Sequence, residues 1–548
     1  MMETGIVERA AAARVEDLAG QQSHAMPRVA GAPFLRVLVF AGGFASIGVE
    51  LAASRLLAPF FGSSTFIWAS LIGSTLAFLS LGYFLGGRLA DRRPEAEVLY
   101  AVAVVAAVAI GTIPFVARPL LTGSLQAFRE LDAGVFYGSL AGTLLLLAPP
   151  VTLLGFVSPF AIRLQLSDVA SAGKTAGSLY ALSTIGSITG SFIPVLVLIP
   201  LIGTAATFIA LSLALLVPAV AGLVAVRARP VALVAALAAL AVPALATPAG
   251  VRPPDRGVLL HERESAYNYI QVVDEDGRRS LILNDGHAVH SVYDPDELLT
   301  GGPWDYFMVA PLMVEDAAPA ATMVGPRDAL LIGLAGGTVA RELTAAYGPI
   351  PITGVEIDPE INDVAREYFA LDELDNVEVI VADGRYALRT SAAAFDLIGV
   401  DAYRQPYIPF QLTSREFFQD VSAHLRPGGV AVVNAGRTST DFRLVEALAS
   451  TMRDVFPHVV AIDVSRYTNT ILIGSDTPLS ADALSHNVER LPQASPVREV
   501  AGWSLASGNI RTMPAATTPT RLVFTDDRAP VELVIDQMIF DAAREIGG

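Results

Sequence analysis

The chain has no cysteine among its 548 residues. That excludes disulfides, thiolate metal sites and cysteine nucleophiles, and it leaves the redox compartment open. Charge is scarce as well. Asp, Glu, Lys and Arg make up 17% of the chain, against roughly 25% in an ordinary soluble protein. The charge present is acidic on balance, with 54 acidic and 37 basic residues and a net charge of −17. General nucleic-acid binding, which needs a basic surface, is therefore not expected. His287 and His290 fall close together in one expected strand. With no cysteine and no neighbouring acid cluster, they do not suggest a metal site.

What is abundant is apolar. Hydrophobic residues form 53% of the chain, and the excess lies almost wholly before residue 250. Residues 1–33 are polar and rich in Ala and Arg, with no apolar core ending in a cleavage site; they read as a disordered cytoplasmic tail. Residues 34–249 read as a helical membrane domain of about seven spans, near 35–57, 65–87, 97–117, 138–161, 177–200, 203–226 and 230–248. Their many Gly, Ala and Ser residues permit close helix packing in lipid. Pro149 and Pro150 predict a kink in the fourth. Glu50 and Arg55, at the end of the first span, read as an ion pair or snorkelling arginine that fixes packing, with a ligand or transport role as the alternative.

If every segment crosses, Arg28, Arg36, Arg88, Arg92, Arg93, Arg163, Lys174, Arg227 and Arg229 share one side, and the other has little beyond Arg118 and Arg129. The charge-rich side is expected to be cytoplasmic, together with the N-terminus. An odd number of crossings then puts residues 250–548 outside the cell. Cofactor supply argues for the cytoplasm instead, which would need the alanine-rich seventh segment not to cross.

After residue 250 the sequence becomes charged and rich in turns. Residues 250–325 read as a small β-domain and linker, with hairpins at Gly277 and at Asp285-Gly286. Residues 326–548 open on the most informative stretch of the chain. An apolar run (329–334) meets a turn holding Gly333, Gly336 and Gly337, a helix is expected from Thr338 to about Tyr347, and a second apolar run ends at Glu356. Glycines let backbone approach a ligand, the next helix offers free N–H groups, and an acid at the strand tip accepts ribose hydroxyls. Further strands are expected at 376–383, 395–401 and 429–435, with helices between, giving a parallel sheet covered on both faces. Glu356, Asp383 and Asp401 all stand at strand ends, where such sheets bind ligands.

These residues carry a resemblance. Residues 257–475 are similar to the spermidine synthases, a branch of the Rossmann-like, S-adenosylmethionine methyltransferase-like folds. VEIDPEI, VADGRYAL and FDLIGVDAY resemble that family's second-, third- and fourth-strand motifs, LLHERESAYNYIQVV its β-domain, and ELAASRLLAPFFG and TDDRAPVE a membrane-fused subgroup. The resemblance implies that Glu356 binds the ribose, that Asp383 with Gly384 receives the adenine, that Gly333, Gly336, Gly337 and Asn268 contribute to the nucleoside site, and that Asp401 is catalytic. It implies S-adenosylmethionine or its decarboxylated form as co-substrate, a polyamine or other small-molecule acceptor, no metal, and a homodimer formed through the β-domains. It places an acid of the acceptor pocket near Trp304, Asp305 and Tyr306. Asp526 and Asp527 read as turn caps or salt-bridge partners.

The departures from the family pattern concern mechanism. The glycine turn reads GLAGGT where GGGDGG is usual, so Gly336 replaces an acid that meets the aminopropyl ammonium. Arg404 stands where the fourth-strand loop usually has a second acid, and Asn268 where a glutamine is usual. An arginine cannot act as a base near neutral pH. The loop from Arg404 to Thr413 offers Tyr407 and Gln411, beside Tyr403, for an uncharged or anionic group. Three functions stay open on this reading. The first is a membrane-bound aminopropyltransferase acting on a polyamine. The second is a methyltransferase-like enzyme using intact S-adenosylmethionine. The third is a non-catalytic nucleoside-binding domain on a transporter-like bundle.

Overall fold

A computed structural model of the protein describes residues 32–61, 65–130, 134–166, 171–226, 254, 256–284, 289–315, 325–403, 407–506, 508–513 and 522–547. The tail at 1–31, the stretch read as a seventh span, the Asp285-Gly286 turn, His287 and Arg404 lie outside these residues.

The first half is a helical bundle. Its helices are α1 (Ala32–Phe61), α2 (Thr65–Arg92), α3 (Ala96–Glu130), α4 (Gly134–Gly155), α5 (Val157–Gln165), α6 (Ala172–Ile193) and α7 (Ile199–Ala225), with a π-turn at Pro194–Leu198 joining the last two. Among the described residues, five stretches are long and apolar enough to cross a membrane, making this a multi-pass membrane protein. The last of these runs 54 residues, from Ala172 to Ala225, and is broken at Gly203, whose φ of 77° leaves the helical region. Gly48 of α1 faces both Pro194 and Leu211. In one straight helix those two residues would stand about 25 Å apart. The chain therefore turns back at Gly203 and crosses twice, as the two separate sequence segments anticipate.

Glycine is what lets these helices touch. A Cβ at Gly186 would sit 2.2 Å from the Phe40 carbonyl oxygen, and one at Gly82 would sit 2.2 Å from that of Thr152. Backbone thus packs on backbone, as small residues permit in lipid. Both prolines of the fourth span lie inside α4, and the helix is interrupted for one residue after Gly155, which packs against Gly82 of α2.

The second half has two sheets. β1 (Val258–Glu264), β2 (Tyr269–Glu275), β3 (Arg278–Leu283) and β4 (Val289–Tyr293) form an antiparallel meander. Asp276 and Gly277, both with positive φ, turn β2 into β3. Ile270, Val272, Leu281 and Leu283 pack this sheet against Ile361, Val364 and Phe369 of the larger unit.

That unit contains, in chain order, β5 (Ala329–Ile332), α8 (Thr338–Tyr347), β6 (Ile352–Glu356), α9 (Pro359–Tyr368), β7 (Val377–Val381), α10 (Gly384–Thr390), β8 (Phe395–Val400), α11 (Arg415–Ala423), β9 (Leu425–Gly436), α12 (Arg443–Arg453), β10 (His458–Asp463), β11 (Asn469–Ser475), α13 (Ala481–Glu489), α14 (Val497–Leu505), β12 (Ile510–Thr512) and α15 (Val531–Gly547). Its sheet runs β12-β10-β11-β9-β8-β5-β6-β7. The strands from β7 to β9 are parallel, as the alternation of apolar runs and helices predicts, and β10, β11 and β12 add an antiparallel extension. One apolar core lies on each face. Strand order reverses at β5, between β6 and β8, so a crevice opens at the carboxyl ends of these strands.

Candidate functional site

The glycine turn follows β5 directly. The N–H groups of Gly333 and Leu334 both donate to the Val355 carbonyl, at 2.9 and 3.2 Å, which folds the turn over the end of β6. Gly333 has φ +91°, and a Cβ there would lie 2.5 Å from the Asp401 carbonyl oxygen. Only glycine allows the turn to pass so close to the end of β8. Gly336 has a different reason. Its N–H donates to Ser291 Oγ at 2.8 Å, and a Cβ would meet Ser291 Cβ at 2.8 Å and the Phe369 ring at 2.9 Å. The turn is shut against β4, and an acidic side chain has no room at position 336. Gly337, at φ +85°, starts α8.

Glu356 closes β6 and is 7% exposed. One carboxylate oxygen accepts from Ala335 N at 3.0 Å, the other from Ile357 N at 2.9 Å and Asp358 N at 3.2 Å. Burial nevertheless dominates and pushes the group up to about 7. The Glu356 carbonyl also accepts from Ala382 N, so Asp383 lies beside it at the tip of β7. Asp383 caps α10 through Tyr386 N at 3.0 Å. Gly384 lets that helix press on β5, since a Cβ would stand 2.3 Å from Ile332 Cγ2. The three strand-tip acids and the glycine turn thus share the carboxyl edge of the sheet.

Asn268 is 8% exposed and lies next to this edge without lining the cleft described below. Its Nδ2 donates to Asp358 at 2.9 Å, and its Oδ1 accepts from Asn284 Nδ2 at 2.9 Å. Asp358 also accepts from Ser265 Oγ at 2.5 Å and caps α9. Asn268 is thereby part of the joint between the two sheets.

Asp401, just after β8, opens onto a cleft of about 410 Å³. Its carboxylate accepts from Asn434 Nδ2 at 2.9 Å and from the Trp304 side chain, and burial pushes it up to about 6. The Tyr403 hydroxyl bridges the Asn434 carbonyl and Gly436 N, each at 2.9 Å, fixing the far wall. Arg437 and His290 also line the cleft, and Ile535, Met538 and Ile539 of α15 give it an apolar side. His290 Nε2 is buried without a hydrogen-bond partner among the described residues, and burial drives the ring down to about 4, so it is neutral.

Other residues from the sequence reading go elsewhere. Asp305 is fully buried and accepts from Thr300 and Gly301, and Tyr306 accepts from Ser465 N; of that triplet only Trp304 reaches the cleft. Tyr407 donates to Asp536 at 2.6 Å, and Gln411 gives its carbonyl to Arg385. Asp526 pairs with Arg385 at 2.7 Å, in keeping with its reading as a salt-bridge residue. The sequence reading did not single out Asn434 or Arg437. Asn434 sits near the end of β9, where the strand-tip rule that found Asp401 also applies. Among the described residues no cluster of three or more His, Asp or Glu has metal-binding geometry.

A glycine turn and acids at successive parallel strand tips define a Rossmann-like fold. Comparison with known proteins narrows this. Residues 314–473 match the spermine/spermidine synthase domain. Over 302 residues the chain is 36% identical to a probable polyamine aminopropyl transferase of Bifidobacterium longum, covering 52% of this chain and 65% of that protein, just under two thirds of its length. It is 29% identical over 382 residues to a polyamine aminopropyltransferase of Mycobacterium tuberculosis, covering 62% of this chain and 69% of the relative. A crystal structure of a probable spermidine synthase from Corynebacterium glutamicum aligns with 49% of this chain and 99% of its own, at 23% identity and a TM-score of 0.36. At the level of family the soluble half matches the polyamine aminopropyltransferases and spermidine synthases, and the apolar helices before it are consistent with a membrane-fused subgroup.

Proposed function

We propose that the protein is a membrane-bound transferase that binds an adenosyl sulfonium compound along the glycine turn, Glu356 and Asp383, and moves its aminopropyl group to an amine held in the cleft at Asp401. The observation that carries this reading is the Asp401 carboxylate. It stands at the tip of β8, backbone to backbone with the glycine turn, and opens onto a cleft large enough for a small acceptor.

In this reading the amine nitrogen attacks the carbon next to the sulfonium, the carbon–sulfur bond breaks, and its electron pair leaves on sulfur as the neutral thioether methylthioadenosine. The nitrogen gains a bond and must lose a proton, for which Asp401 is the acceptor. A carboxylate near 6 is ionised at pH 7 and is basic enough to share that proton. Asn434 and Trp304 keep it in one orientation, which lowers the cost of aligning the amine for in-line attack.

A second reading uses intact S-adenosylmethionine with a different acceptor. It is favoured by the crowding at Gly336, which leaves no room for an acid toward an aminopropyl ammonium, and by Arg437 in the cleft wall. Calorimetry on the full chain in detergent, with S-adenosylmethionine, its decarboxylated form and methylthioadenosine, separates the two. Tighter binding of the decarboxylated form, with methylthioadenosine released on adding a diamine, supports the first. Preference for the intact form overturns it in favour of the second, and binding of none overturns both.

A further inference from the structure

The helix directions fix which ends of the bundle share a side. Gly43 meets Ser183, and Gly190 meets Phe44, so α1 and α6 run parallel. Gly82 meets Thr152, and Gly86 meets Phe156, so α2 and the α4–α5 pair also run parallel. Tyr100 packs on Gly222 while Ser212 Oγ donates to the Ala107 carbonyl at 2.6 Å, so α3 and α7 are antiparallel. Arg163 pairs with Asp91 at 3.3 Å, tying the ends of α5 and α2 to one side. That side also holds the starts of α1, α3 and α6 and the end of α7. The opposite side holds the end of α1 and the turn at Gly203.

The first side carries Arg36, Arg88, Arg92, Arg93, Arg163 and Lys174; the second has Arg55 and, by sequence position, Arg118 and Arg129. The excess of basic residues marks the first side as cytoplasmic. The soluble half docks on the second. Glu264, the last residue of β1, accepts from Thr204 N and, at 2.7 Å, from Thr204 Oγ1, directly after the turn at Gly203. The Arg55 guanidinium donates to the Ala266 carbonyl. The end of α7 and the end of β1 therefore lie on opposite sides of the bundle.

We propose that the soluble half works on the non-cytoplasmic face of the membrane, docked on the end of α1 and the start of α7 at the charge-poor side, and that its cleft takes substrate from that compartment. This reverses the side suggested by cofactor supply, and it does not depend on which reaction is catalysed.

The absence of cysteine makes the test direct. Ala392→Cys places a thiol on an exposed loop of the soluble half, away from the cleft, and Glu95→Cys places one on the exposed link between α2 and α3. Each full-length variant is treated in intact spheroplasts with a membrane-impermeant maleimide, and again after permeabilisation. At least tenfold faster labelling of Ala392→Cys in intact spheroplasts is expected, with Glu95→Cys reacting only after permeabilisation. The opposite pattern overturns the orientation. Equal labelling or equal protection of the two sites overturns the docking geometry. Fluorescence of detergent-purified variants on a sizing column checks that both have folded, and neither outcome depends on transferase activity.

Discussion

At the scale of single residues, burial raises both Asp401 and Glu356 at the sheet edge, and the proposed function gives the two carboxylates different tasks. Asp401 titrates near 6 because burial outweighs its hydrogen bonds from Asn434 and Trp304. If it takes the amine proton, the transfer rate should rise with pH through about 6 as it ionises. Asp401→Asn, which keeps the shape, should lower that rate by roughly 10²- to 10⁴-fold. Calorimetric affinity for the adenosyl compound should stay within about threefold; an equal loss of binding would make the residue a structural support. On the same proposal Glu356 holds the nucleoside. Glu356→Ala should weaken adenosyl binding by about ten- to a hundredfold, the worth of one or two hydrogen bonds to a charged group.

Glu356 also ties stability to pH. Its folded value of about 7 lies above the ordinary 4.5, so the folded form holds the proton more tightly than the unfolded chain. That contribution is complete below about pH 4.5 and is lost as pH rises through 7, on the order of 3 kcal/mol in all. The melting temperature in detergent should therefore fall between pH 5.5 and pH 8, and the fall should shrink in Glu356→Gln, which cannot ionise. Much of this edge was legible in the sequence, because an acid directly after an apolar run is conspicuous. His290 was not legible in its actual setting: its place in the cleft wall depends on how β4 meets the glycine turn and the start of α8, a contact between distant segments. Asp305 misleads for the same reason, since its neighbours in space, Thr300, Gly301 and Glu342, take it out of the cleft.

At the scale of elements, the parallel strands and their helices follow from local signals. Asp358, Asp383 and Ser414 cap α9, α10 and α11 through backbone N–H groups, and each can be read as an N-cap from sequence. No glycine turn leads into the strands β10 to β12, and the acid that ends β10, Asp463, pairs with Arg511 of β12, so nothing local announces that they extend the sheet in antiparallel sense. In the bundle, span positions were legible from apolar length, while the contact of Gly155 with Gly82 of α2 was not, because it joins distant segments. The same close packing makes a prediction. A side chain at Gly186 meets the Phe40 backbone, which cannot move without separating α1 from α6. Gly186→Leu should lower the melting temperature of the purified protein, at a cost of about 1–3 kcal/mol or more. At Gly173, where a Cβ meets nothing within 4 Å, the same substitution should be nearly silent.

At the scale of the whole molecule, no local pattern announces that the soluble half seats on the bundle. Glu264 lies in an ordinary exposed-looking strand, and Thr204 follows an ordinary glycine. Only the fold brings them together, and together they decide which side of the membrane the cleft serves. If this contact holds the two halves, Glu264→Ala removes the acceptor of the Thr204 N–H and hydroxyl. Amide exchange at Thr204 should then speed up by about ten- to a hundredfold, since a lost charged acceptor is worth roughly 1.5–3 kcal/mol. Exchange within β5 and β6 should not change, because their hydrogen bonds run within the larger sheet. Adenosyl affinity should also hold, because the nucleoside edge is built from β5, β6 and β7. Unchanged exchange at Thr204 would mean that the halves are held elsewhere. Faster exchange throughout the sheet would mean that the soluble half depends on the bundle for its own stability, and the two would then be one cooperative unit.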